Sequence, residues 1–211
     1  MSFQTKKRLI IFGALLSFAI STTLIIINFR PQAENNAEEK IFFNDESYFF
    51  KADPRWADTS LGKQRTMQSH GAATLVLSMA MHALGHKFPP DELAKFFVQN
   101  DAYQEDGEPN WILVTQLSGR KLEVVIPSNP NMRMIVKSLQ KERPVMAKLD
   151  KSPQSAEHWI LIVGIKGRDF LVKDPFSPQQ RLHLLSEYKS RISHVRILKI
   201  FPIDKIPFYK G

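Results

Sequence analysis

Residues 64–86 (QRTMQSHGAATLVLSMAMHALGH) form the stretch around which the pattern of hydrophobic and polar positions is organised. From Gly71 to Leu84 nearly every position is small or apolar, so hydrophobic residues fall on all sides of a helix instead of along one stripe. That pattern predicts a helix packed on most of its surface. Ser69 stands where an N-cap is expected, and Gly85 where a left-handed residue would close the helix. The first turn then presents free N–H groups and a positive dipole end to the loop before it. Such an end suits a reactive nucleophile, yet Gly71, Ala72 and Ala73 occupy it.

The remaining pattern predicts a segregated order. Pro89, Pro90, Asp91 and Glu92 open a second helix with Leu93, Phe96 and Phe97 on its apolar face. Residues 100–110 read as a polar loop, and residues 111–117 as a short helix closed by Gly119. Residues 122–126 alternate like a strand, and Met132, Ile135, Val136 and Leu139 have helical spacing. Residues 143–149 read as a strand. Residues 158–165 (HWILIVGI) and 170–172 predict a hairpin turning at Lys166, Gly167 and Arg168. Asp174 and Pro175 end it, residues 184–190 read as short helical or irregular chain, and residues 195–201 give a last strand. Helices first and strands later imply an α+β domain with an antiparallel sheet.

Residues 9–29 stand apart, with twenty-one uncharged positions that as a helix reach about 31 Å, enough to cross a hydrocarbon core. Lys6, Lys7 and Arg8 precede them, whereas Arg30 is followed by Glu34, Glu38 and Glu39. The positive-inside bias keeps residues 1–8 cytoplasmic and sends the rest outward. The apolar run exceeds a secretory h-region and ends without a small-residue cleavage site, which favours an uncleaved signal anchor. Residues 30–44 read as a polar spacer, with Ile41, Phe42 and Phe43 able to dock on the domain.

Charge and cysteine content narrow the chemistry. The formal charge of +8 falls to +4 once Lys6, Lys7, Arg8 and Arg30 are set aside. No basic stripe with interleaved aromatics is present, so nucleic acid is not an expected partner. The chain has no cysteine, which excludes disulfides, thiolate-bound metal and a thiol nucleophile. His82 and His86 are four apart, but Gly85 ends the helix between them and no carboxylate completes a zinc set. No metal or other cofactor is expected.

Three distant segments combine into a candidate site. His158 heads one strand of the predicted hairpin and Asp174 ends the other, which places a carboxylate beside an imidazole as in a nucleophile, base and orienter relay. The order of segments resembles the C39-like branch of the papain-like cysteine peptidases. The resemblance rests on Asp53-Pro54-Arg55-Trp56, Ser69-His70-Gly71-Ala72-Ala73-Thr74, Pro89-Pro90-Asp91-Glu92-Leu93-Ala94, Gly107-Glu108-Pro109-Asn110-Trp111, Pro144-Val145, His158-Trp159-Ile160-Leu161-Ile162-Val163-Gly164 and Asp174-Pro175. It spans roughly residues 49–176.

The resemblance implies a papain-like fold, with N-terminal helices packed on an antiparallel sheet, over residues 45–211, preceded by one transmembrane helix. Ala72 then falls at the position of the nucleophilic cysteine, His158 at the general base and Asp174 at its orienter. The oxyanion-hole glutamine corresponds to Thr66, leaving Gln64 and Gln68 beside it as candidate donors. A methyl group forms no acyl-enzyme, and loss of a triad nucleophile costs on the order of 10⁶ in turnover. Ser69 fits a cap better than a nucleophile, and Thr74 is expected to be buried. The expectation is a single-pass membrane protein of a bacterial envelope, its C-terminal domain outside the cytoplasm, that binds a peptide or protein ligand without peptidase chemistry. An active cysteine peptidase with Ala72 engineered in place of cysteine, and a structural envelope protein, are the alternatives.

Overall fold

The computed structural model describes residues 38–43, 45–150 and 158–201. Helix α1 covers Met67–His70, α2 Ala72–Ala83, α3 Pro90–Gln99, α4 Leu113–Leu117 and α5 Met132–Leu139. Every residue of α2 from Ala72 to Met81 is buried, as an apolar cylinder without a polar stripe requires. Its C-terminus closes on Gly85 at φ +80°, with Gly85 N–H donating to the His82 carbonyl (2.8 Å) and His86 N–H to the Met81 carbonyl (2.9 Å). These two bonds make a Schellman motif, in which glycine avoids the Cβ penalty of the left-handed region.

The expected cap at Ser69 is corrected. Thr66 is the cap, and it serves the separate short helix α1, in which Ser69 is the third residue of a reciprocal capping box. Gly71 stands between α1 and α2 and caps α2 with no side chain. Its Cβ-less backbone is needed there, since an added Cβ would lie 2.3 Å from the Met67 sulfur and 2.4 Å from the Met67 carbonyl oxygen. Gly71→Ala is therefore expected to cost about 1–3 kcal/mol through overpacking, read as a lowered urea midpoint with an unchanged m-value.

The strands are β1 Glu39–Ile41, β2 Leu122–Val125, β3 Val145–Leu149, β4 His158–Lys166, β5 Asp169–Lys173, β6 His183–Leu184 and β7 Ile192–Ile200. They form one sheet in the order β2-β7-β3-β4-β5-β6, with β1 also paired to β4, and every ladder is antiparallel. The α+β expectation with an antiparallel sheet thus holds. Two strands lie outside the predicted pattern. β1 falls within the stretch read as a spacer, and β6 is only two residues long. Such short pieces are held by a neighbour's free edge, not by their own alternation. Gly164 accommodates β1, because a Cβ there would meet the Lys40 carbonyl at 2.6 Å.

Met132, expected on the apolar face of α5, is half exposed, while Ile135 and Leu139 are fully buried. It is the first residue of α5, and a helical side chain leans over the turn before its own Cα, which here lies outside the helix. The predicted span at residues 9–29 lies outside the described residues. Among the described residues no helix is long and apolar enough to cross a membrane.

The segment containing Gly107 and Trp111 ties the α1–α2 corner to the sheet. Gly107 (φ +89°) backs onto His70 so closely that a Cβ would lie 2.9 Å from the His70 Cβ. Next to it, buried Glu108 accepts from Lys148 Nζ (2.7 Å) on β3 and from Trp111 Nε1 (3.2 Å). Arg196 Nη2 on β7 lies 3.6 Å from the same carboxylate. A buried carboxylate with two cations and an indole is tolerated because each charge has a partner. It also fixes the corner relative to β3, whose Leu149 pairs with His158.

Candidate functional site

Residues flanking the helical corner come from a loop that the capping box shapes. Thr66 Oγ1 accepts from Ser69 N–H (3.3 Å), and Ser69 Oγ accepts from Thr66 N–H (2.9 Å) while donating to the Thr66 carbonyl (3.1 Å). Ser69 is thus engaged as the third residue of the capping box, with His70 Nδ1 2.9 Å from its hydroxyl. Gln64 (φ +62°) and Gln68 are both exposed, the first in the turn before α1 and the second within it. Ala72 begins α2 and is buried. Thr74 is buried too, its hydroxyl 2.9 Å from that of Tyr103.

His158 and Asp174 are brought together as the hairpin predicts. Pairing of Leu161 with Lys173 sets β5 against β4, so the chain leaves β5 at Asp174 beside the start of β4. His158 Nε2 lies 2.9 Å from Asp174 Oδ1, and both side chains are buried. Asp174 Oδ1 also accepts from Phe176 N–H (2.9 Å), and Oδ2 accepts from the Tyr188 hydroxyl (2.9 Å). Burial alone would push the Asp174 carboxyl up. The hydrogen bond and charge of His158, the Phe176 N–H and Tyr188 outweigh it and hold the carboxyl below its ordinary value. The Tyr188 hydroxyl is pushed up, first by burial and then by the Asp174 charge. An ionised Asp174 and a protonated Tyr188 suit one another, since carboxylates only accept and phenols donate.

The backbone of Asp174 is fixed as well. Its N–H donates to the Tyr48 oxygen (2.8 Å), and the Tyr48 hydroxyl donates back to its carbonyl (3.0 Å). The His158 ring is held between Phe176 (centroids 4.6 Å) and Tyr188 (5.3 Å). An ionised Asp174 places the imidazole proton on Nε2 and leaves the lone pair on Nδ1. Nδ1 is buried and has no hydrogen-bond partner among the described residues. Buried nitrogens are rarely left so, and this is the atom that a general base would present to a nucleophile.

A chain of contacts joins the His158 pair to the helical corner. Lys51 Nζ donates to the Ser69 carbonyl (3.0 Å) and stands 4.2 Å from the centroid of Phe176, the ring against His158. An open cleft of about 830 Å³ runs along the pair, lined by His158, Asp174, Phe176, Arg181 and Tyr188 among others. Sequence reasoning missed Lys51, Tyr188 and the role of Tyr48. None belongs to a motif, although Tyr48 sits in the aromatic run Tyr48-Phe49-Phe50.

The profile of the Peptidase_C39 like family matches residues 64–191. Among solved structures, the chain resembles the crystal structure of a Bacillus anthracis protein assigned as a C39-like peptidase. The TM-score is 0.52 at 10% identity, over 77% of this chain and 98% of that one. At that identity the likeness shows a shared fold. No curated protein matches.

Proposed function

The chain belongs to the C39-like peptidase family, and from that premise we infer that it has lost thiol peptidase chemistry and acts by binding a peptide or protein in its cleft. One observation supports the reading: His158 and Asp174 are paired at 2.9 Å, while the resemblance assigns the family's nucleophile position to Ala72. The base and orienter keep their geometry, yet no sulfur is available to attack a carbonyl. What remains is a cleft with aromatic walls and an unpaired ring nitrogen, features that serve recognition. The uncharged run at residues 9–29 with cations before it supports a single-pass anchor in a bacterial envelope, the domain lying outside the cytoplasm.

The test is selection of a displayed random-peptide library on the full chain in detergent. Enriched peptides that bind wild type uncut, and bind Ala72→Leu at least tenfold more weakly at similar melting temperature, are the expected result. Absence of enrichment, or binding indifferent to the Ala72 change, would reject the reading. Membrane topology is read separately by alkaline phosphatase fused after Gly211, expected to be active.

A further inference from the structure

The same cleft holds a second relay that neither Ala72 nor His158 enters. Ser177 Oγ lies 2.9 Å from His183 Nε2, and His183 Nδ1 lies 3.3 Å from Glu187 Oε2. The three side chains line the cleft together, with Ser177 only 6% exposed and His183 largely covered. They come from the turn after β5, from β6 and from the 3₁₀ turn Leu185–Tyr188, the elements that also frame Asp174. We propose that Ser177, His183 and Glu187 form an oxygen-based nucleophilic centre that takes carboxylic esters.

The protons fall in the required order. The Glu187 carboxyl is held below its ordinary value: burial, which would raise it, is outweighed by the Leu184 N–H and by His183. An ionised Glu187 takes the N–H of His183 Nδ1, which leaves the lone pair of Nε2 facing the Ser177 hydroxyl. As the amide is placed, the Ser177 hydroxyl donates to Gln179 Oε1 at 2.9 Å. Turned by half a rotation, an assignment that heavy-atom positions do not distinguish, that amide donates to Oγ and frees the hydroxyl proton for His183. The Tyr188 ring at 6.2 Å helps to hold the imidazole.

In the reaction, Ser177 Oγ bonds to the ester carbonyl carbon and its proton passes to His183 Nε2. The carbon–alkoxy bond breaks as His183 returns that proton to the departing alcohol. Water then repeats both transfers to release the acid and regenerate the hydroxyl. Glu187 is about half exposed, a weaker electrostatic support for the imidazolium than a buried carboxylate, and this suits an alkoxide leaving group better than an amine.

The experiment exposes the full chain in detergent to a biotinylated fluorophosphonate, whose P–F bond is replaced by P–O at an activated serine. Labelling of the peptide containing Ser177, abolished in Ser177→Ala and slowed at least tenfold in His183→Gln, is expected. Hydrolysis of p-nitrophenyl acetate should fall in parallel. A wild type without label at Ser177, or a His183→Gln protein with unchanged melting temperature and labelling rate, would overturn the proposal.

Discussion

Ala72→Cys is expected to gain a reactive thiol without gaining the turnover of a cysteine peptidase. The new sulfur would sit on the first residue of α2, a twelve-residue helix, where the positive dipole end lowers a thiol pKa. An imidazole with a lone pair on Nδ1 is retained in the cleft. The obstacle is the oxyanion. By the resemblance Thr66 falls where the family carries glutamine, and its side chain is committed to the Ser69 N–H of the capping box. Losing one such donor costs about 10²–10³ in turnover. The variant should therefore alkylate with a chloromethyl-ketone peptide yet cleave a fluorogenic peptide at least a hundredfold more slowly than a C39-like peptidase with its glutamine. The double variant Thr66→Gln/Ala72→Cys should recover part of the deficit. Full turnover by the single variant would show that another group supplies the oxyanion donor.

Asp174→Ala is expected to destabilise the fold by about 1–3 kcal/mol for each buried donor it leaves unpaired. It strips partners from His158 Nε2, the Phe176 N–H and the Tyr188 hydroxyl together, all at 2.9 Å. The acid dependence should change with it. Because the folded carboxyl lies below its ordinary value, the folded state binds fewer protons than the unfolded one between the two pKa values. Its contribution is complete above the unfolded pKa of about 4 and is lost as pH falls through the folded value. Urea melts of wild type between pH 7 and pH 3 should show a fall in stability that Asp174→Asn flattens. Equal slopes in the two proteins would mean that the carboxylate is not selectively stabilised by folding.

Much of the architecture was legible because it rests on local pattern. The all-apolar run of α2, the two prolines opening α3 and the continuous apolar runs of β4 and β5 each constrain their own stretch of backbone. Short pieces behaved differently. Thr66 and not Ser69 is the cap because the sequence offers two hydroxyls three residues apart, and the separate helix α1 that follows Thr66 ends at Gly71, in close contact with Met67. β1 and β6 are strands only because β4 and β5 present free edges to them.

The site divides along the same line. Composition alone removed thiol chemistry, since no cysteine is present, and hairpin geometry alone was enough to bring His158 beside Asp174. Residues that complete the environment of Asp174 arrive from positions 14 and 126 away in the chain, Tyr188 and Tyr48. The alignment of Ser177, His183 and Glu187 likewise depends on where a two-residue strand settles. Periodicity reports which face of an element is buried, because it reads neighbours one or two turns away. Which distant side chains then share a cleft depends on how the sheet edge and its connecting turns pack, and that is decided only when the whole domain closes.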